Sequence, residues 1–322
     1  MSKIKCSQIE NYKGLGKALK LSSPKLEIVV TLDIGPRIMH FSKPGQENIL
    51  EDEAVLSEKL PDGKTWSIYG GHRVWHSPEA YPRSYMPDSS PLAGYEILDD
   101  GIIMHQKQEE WTQITKSMEV RFLEESIKIF NRIKNNGAWP VEAAVWSLTV
   151  GSRGGREVCP VVQRNTGLLP NTHYVSWPYS KLNDRRVYWG QKYIVVENDP
   201  DDKTAFKFGY PNEYGWIAYF NKGMCFIKKF THQKGANYPD SGCSWETYTS
   251  YWGIELESLS PLSILKPGMI AEHVDEWYLY DCPVRPQIDE EQIDAVLSTI
   301  AEASGIELPI INESGWDPTY EG

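Results

Sequence analysis

Along most of this chain apolar and polar residues alternate one by one, the period of a half-buried β-strand rather than of a helix. Residues 17–22 (KALKLS) and 26–34 (LEIVVTLDI) read as a hairpin turning at Ser22-Ser23-Pro24. Gly35-Pro36-Arg37 breaks the second strand before IMHFS resumes it, and residues 51–68 read as a loop over the sheet. From 94 to 150 the segments GYEILDD, GIIMHQKQEE, TQITKSMEVRFL, ESIKIFNRIKNN and PVEAAVWSLTV follow one another with no helical period. Their turns are Asp99-Asp100-Gly101, Glu124-Glu125 and Asn135-Asn136-Gly137. In SIKIFNRI, Ile127, Ile129 and Asn131 share a face, so one side of that strand is only partly apolar. VCPVV, HYVSW, RVYWG, KYIVVEN, FKFGY, GWIAYF and MCFIKKF add further strands. Near the end the period changes to 3.6: Ile293, Val296, Leu297 and Ile300 follow Asp289 as N-cap with Gln292 at N3, which predicts one helix on the outside of the fold. The expectation is an all-β, antiparallel protein with one C-terminal helix: a single domain over 1–322, its core at about 17–280 and its helix and tail at 286–322.

The stretch Trp252 to Tyr280 carries the most information. In WGIELESL, alternation sends Ile254, Leu256 and Ser258 to one face and Glu255 and Glu257 to the other. Two carboxylates on one strand face either meet solvent or line a cavity, because burying them unpaired is costly. Turns at Pro261 and Lys266-Pro267-Gly268 lead to a final strand from about Ala271 to Tyr280.

Composition narrows the classes. With 24% charged and 40% hydrophobic residues the chain is an ordinary globular protein, and a net charge of −11 opposes nucleic acid as a partner. No apolar run approaches the ~20 residues of a membrane span, so no membrane partner is expected. The first residues carry lysines at 3, 5, 13, 17 and 20 without an apolar run and are not expected to act as a secretory signal. The five cysteines are scattered and form no CxxC, so neither a disulfide framework nor a zinc knuckle is expected and the cytoplasm is the default location. Nothing fixes an oligomeric state. The 12 tryptophans and 18 tyrosines stand out: such rings pack on the C–H faces of sugars, although β-sandwiches are rich in them anyway.

YGGHRVWHSPEAYP, residues 69–82, is dense in side chains that do chemistry. His72 and His76 have helical metal-pair spacing, but Val74, Trp75 and Pro78 argue for extended chain, and no third ligand is evident. No metal and no cofactor are therefore expected. In a strand His72, Val74 and His76 share one face and Arg73 and Trp75 the other. Imidazoles and a guanidinium there can hold hydroxyls, or the histidines can be satisfied structural residues. Arg37, just after the Gly-Pro break, projects into a cleft or onto the surface. His173 and Trp177, four apart on HYVSW, share a face, and His232 opens a loop that runs to Gly242.

The order of these pieces resembles the galactose mutarotase-like superfamily, from about residue 17 to 280. The motifs are LEIVVTLDIGPRIMHFSKPGQENIL, the Gly-Gly of YGGHRVW, IKIFNRIKNNGAWPVEAAVW, and GIELESLSPLSILKPGMIAEHVDEWYLY. The resemblance implies an antiparallel β-supersandwich and an aldose 1-epimerase-like isomerase acting on a small carbohydrate. There a glutamate takes the proton of the anomeric hydroxyl and a histidine protonates the ring oxygen. By position the glutamate falls on Glu257 or Glu255, with Glu257 slightly favoured. The family's histidine falls where this chain has Ala144-Val145-Trp146, leaving His72, His76 or His173 as the acid. Arg37, His72, Arg73 and His232 would hold substrate hydroxyl or anionic groups, and Trp75 or Trp177 would stack on the sugar. A carbohydrate-binding protein without turnover is the alternative. A lyase of this fold would carry an additional helical domain, and only ~20 residues here look helical.

Overall fold

A computed structural model describes residues 4–59, 63, 65–81, 83–85, 88–162 and 172–311. Single-residue alternation becomes two large antiparallel sheets of eleven and ten strands packed face to face, with a two-stranded hairpin beside them. The larger sheet begins with Lys5–Ile9, Ala18–Ser22, Glu27–Thr31 and Ile38–Ser42. It continues through His72–Ser77, Val141–Gly151, Gly253–Leu259, Trp245–Ser250 and Phe206–Tyr210 to Val175–Ser176, and Ser263–Leu265 pairs with Val141–Gly151 off this path as the eleventh. Ile114–Phe122 in the smaller sheet shows the period most plainly, alternately buried and half-buried along its whole length.

Between the sheets lies one apolar core in which Ile28, Phe41, Val145 and Leu256 of the larger sheet meet Ile129, Phe226 and Trp277 of the smaller. Asn131 explains the partly apolar face of its strand. Its side-chain oxygen meets His72 Nε2 at 3.0 Å and its amide donates to Asp275 at 2.9 Å. His72 Nδ1 is 2.9 Å from Thr149 Oγ1, and the Lys228 ammonium donates to Thr149 Oγ1 and the Leu256 carbonyl. This buried network ties one sheet to the other with its polar groups satisfied, the condition under which such groups are tolerated in a core.

The helix Glu290–Ser304 starts where Asp289 accepts from the Gln292 amide and stops at Gly305 in the left-handed region (φ 62°). Ile293 and Leu297 pack it on the outer face of the smaller sheet, against Val195, Trp216 and Ala218. Residues 312–322 of the expected tail lie outside the described residues.

Three local expectations are corrected. Residues 51–68 are not a loop alone: Ala54–Lys59 pairs with Thr65–Tyr69. Their charged and hydroxyl content hides the strand period. A strand at Lys5–Ile9 precedes the expected start of the core, pairing with Ala18–Ser22 at the sheet edge. In HYVSW only Val175–Ser176 is a strand, so His173 and Trp177 do not share a face of one extended segment. All five cysteines are free.

Candidate active site

The face of the larger sheet turned away from the core is where the two glutamates point. Glu257 lies opposite Leu148 on one neighbouring strand and Glu246 on the other, while Glu255 lies opposite Val150 and Tyr248. Across Val141–Gly151, Trp146 faces Trp75 and Leu148 faces Arg73. Period-two geometry therefore gathers Arg73, Trp75, Trp146, Leu148, Glu255, Tyr248 and Lys207 around one concave cleft of about 170 Å³, with Glu79, Tyr85, Tyr179 and Trp252 closing its sides. Gly70 and Gly71 aim the first of these strands. A Cβ on Gly70 would sit 2.1 Å from the Glu51 carbonyl oxygen, and Gly71 has φ +74°, so the kink that launches His72–Ser77 needs both glycines.

The wall is a mosaic of charge and aromatic rings. Arg73 Nη2 donates to Glu255 Oε1 at 2.6 Å, and its guanidinium lies 4.6 Å from the Trp75 ring centroid. Arg73 Nε and Nη1, both buried, have no hydrogen-bond partner among the described residues. The Lys207 ammonium bridges Glu246 at 2.7 Å and Glu257 at 2.9 Å, and sits 4.7 Å from the ring centroids of both Trp146 and Trp177. The Trp146 indole N–H donates to Glu257 Oε2 at 2.7 Å. Trp75 packs edge-on against Trp146 and Tyr85 at 5.6 and 5.3 Å, and the Tyr85 hydroxyl donates to Glu79.

Burial and charge set the protonation. Burial pushes the Glu257 carboxyl up to about 6, with Lys207 pulling the other way and Glu255 adding to the rise. Burial lifts Glu246 well above the carboxylate range. Burial also works against the Lys207 charge, but the carboxylates of Glu246 and Glu257 outweigh it and hold the ammonium well above the ordinary lysine value. One ammonium between two buried carboxyls is a unit that keeps a proton near neutral pH.

The expected site residues divide. Glu255, Arg73 and Trp75 line the cleft. Glu257 stands directly behind the lining, fully buried, and Trp177 reaches Lys207. The histidines do not line it. His72 faces the core, where burial and the nearby Lys228 pull it down to about 3. His76, on the same core-facing side, is 3.6 Å from Glu109 and lines a different pocket with Arg83 and Trp111. His173 meets the Ser241 carbonyl at 3.2 Å, and His232 meets Ser244 Oγ at 2.8 Å and stacks on Tyr238. Arg37 is buried on Asp88 at 2.5 Å and donates to the Tyr69 and Gly70 carbonyls, so it holds the chain entering the cleft strand rather than reaching the cleft.

Sequence reasoning passed over Trp146, Lys207, Glu246 and Tyr248. Two signals pointed to the last three: a lone lysine amid the aromatics of FKFGY, and the Glu-x-Tyr of WETYT, which pairs in register with the Glu-x-Glu strand.

No family model matches the chain, and no curated protein does. Solved structures do. A proposed aldose 1-epimerase from Klebsiella pneumoniae is similar at 14% identity, over 93% of this chain and 87% of that one, with a TM-score of 0.60. A TPR-domain-containing protein from Parabacteroides distasonis is similar at 11% identity, over 93% of this chain and 57% of that one, with a TM-score of 0.54. A galactose mutarotase-like protein from Lactobacillus casei is similar at 9% identity, over 82% of this chain and all of that one, with a TM-score of 0.50. The chain has the galactose mutarotase-like β-sandwich fold.

Proposed function

We propose that this protein binds one small sugar in the cleft and acts on it as an aldose 1-epimerase does, opening and reclosing the ring. The reading is carried by the placement of Glu255 and Glu257 on a concave face walled by Trp75, Trp146, Tyr85, Tyr179, Tyr248 and Trp252. Size supports it too: about 170 Å³ is roughly six water volumes at ~30 Å³ each, below the ~300–1,000 Å³ of drug-sized ligand sites. That volume suits one sugar unit.

On this reading Glu255, which reaches the cleft surface, takes the proton of the anomeric hydroxyl. The bond from C1 to the ring oxygen breaks, its electron pair goes to that oxygen, and the oxygen takes a proton. Rotation about C1–C2 and reversal of the steps give the other anomer. With no imidazole in the lining, the second proton comes from the Glu246–Lys207–Glu257 unit through the Lys207 ammonium. Saturation-transfer NMR of anomer exchange tests the reading across a set of aldoses. Exchange faster than buffer is expected for at least one sugar and is lost in Glu255→Gln; no acceleration with any aldose refutes turnover.

A second reading, binding without turnover, is favoured by one observation: the lining holds no histidine. It predicts calorimetric sugar binding that survives Glu257→Gln and no exchange above buffer.

A further inference from the structure

We infer that the cleft is built for a positively charged sugar, an amino sugar, in preference to neutral, phosphorylated or carboxylated ones; this rests on the carbohydrate reading of the same site. The argument is a count of charge and of what each charge already touches. Four carboxyl groups, Glu79, Glu246, Glu255 and Glu257, stand in or just behind the lining, against two cations, Arg73 and Lys207. Both cations are engaged: Arg73 on Glu255, and Lys207 between Glu246 and Glu257. The nearby Arg37 is engaged on Asp88 outside the cleft. An incoming phosphate or carboxylate finds only Arg73 Nε and Nη1 unpartnered, on a guanidinium whose charge is already shared with Glu255, and would have to sit beside that carboxylate. Reaching Lys207 would break a buried ion pair, which is the costly outcome. An incoming ammonium meets the opposite situation. Among the described residues Glu79 makes no salt bridge within 4 Å and accepts only from the Tyr85 hydroxyl, and it lines the cleft at a half-buried position.

Two further observations point the same way. Glu246 Oε1 and Glu257 Oε1 are buried without a hydrogen-bond partner among the described residues, so the acid side of the site is under-donated. Even with one proton held by that pair, the carboxylates outnumber the cations by three to two. The rings add a second attraction, because Tyr179, Tyr248 and Trp252 line the cleft and an ammonium over an aromatic face is stabilised by its quadrupole.

Isothermal titration calorimetry at pH 6.5 and low salt, on the whole chain, tests this with glucosamine and galactosamine against glucose, galactose, glucose 6-phosphate and glucuronic acid. The amino sugars are expected to bind about tenfold more tightly than their parent sugars, the sum of one cation–π contact and one partly screened ion pair. The advantage should shrink with added salt. Glu79→Gln, a near-isosteric change at a half-buried position, should bring the ratio of glucosamine to glucose affinity toward one. Equal affinity for charged and neutral sugars, or tighter binding of the phosphate or the uronic acid, overturns the inference and leaves the carbohydrate reading standing. A panel in which no sugar binds removes both.

Discussion

Lys207 decides what the cleft can be. It is fully buried, yet it keeps its charge because two carboxyls lie within 2.9 Å and two indole rings within 4.7 Å. Removing it leaves Glu246 and Glu257 facing each other without a cation, and breaking a buried ion pair from one side costs roughly 3–5 kcal/mol. Lys207→Met should lose stability of that order in urea unfolding; a loss below about 1 kcal/mol would mean that the carboxyls are neutral and the bridge is not ionic. Trp146 is the second deciding residue. Its indole N–H donates to Glu257 Oε2 at 2.7 Å, tying the cleft wall to the buried carboxyl pair. The residue types were readable from the sequence, and so was the face that Glu255 shares with Glu257. That Glu255 lines the cleft while Glu257 is sealed behind it was not readable, since alternation gives a face and not a depth.

At the scale of the element, the strand His72–Ser77 shows how one segment serves two compartments. Its His72 enters the polar network between the sheets and Val74 the apolar core, while its odd positions Arg73 and Trp75 enter the cleft. The Gly70-Gly71 kink sets both at once. Gly70→Ala places a methyl against the Glu51 carbonyl, so the strand must shift; overpacking of this kind costs about 1–3 kcal/mol. We expect that loss in urea unfolding together with weakened sugar binding, whereas full affinity in the variant would show that the kink does not position Arg73. The helix answers to a more local rule. Asp289→Ala removes the acceptor for the Gln292 amide and should cost about 1 kcal/mol, read as a lower urea midpoint with sugar affinity unchanged.

The whole molecule carries many buried titratable groups, and their signs can be summed over pH. Burial pushes Glu157 up to about 8, Glu257 up to about 6 and Glu246 well above the carboxylate range. Folding therefore takes up protons at Glu157 between pH 8 and 4.5, at Glu257 between 6 and 4.5, and at Glu246 above 4.5, and is favoured as pH falls. Burial holds His72 at about 3 and His273 at about 4 and lowers His76, so the unfolded chain takes up protons there below pH 6.5 and unfolding is favoured. From pH 8 to 6.5 the raised carboxyls dominate, opposed only near pH 8 by Lys228, which burial lowers to about 8, and stability rises on acidification by up to roughly 1.4 kcal/mol per pH unit for each carboxyl. From 6.5 to 4.5 the two sets oppose. Below 4.5 the histidines are joined by carboxyls held low, Asp275 and Glu109 among them, the latter kept at about 2 because Lys116 and His76 overcome burial, and stability falls steeply. Urea midpoints measured across pH should therefore peak on the acid side of neutrality, at about 4.5–6.5; a maximum at pH 8 would contradict the burial of those glutamates.

Local alternation and turn chemistry, both written in neighbouring residues, were enough to determine most of the antiparallel strands, the capped C-terminal helix and the shared face of Glu255 and Glu257. Which strands became neighbours was decided only in three dimensions. Register placed Trp146 between Trp75 and Leu259 and Glu246 opposite Glu257, and so drew the lysine from FKFGY to the glutamates. It also turned His72 and His76 into the interior. A histidine's side of a sheet follows from its own strand, but what waits on that side is supplied by segments up to 200 residues away, and no spacing along the chain encodes it.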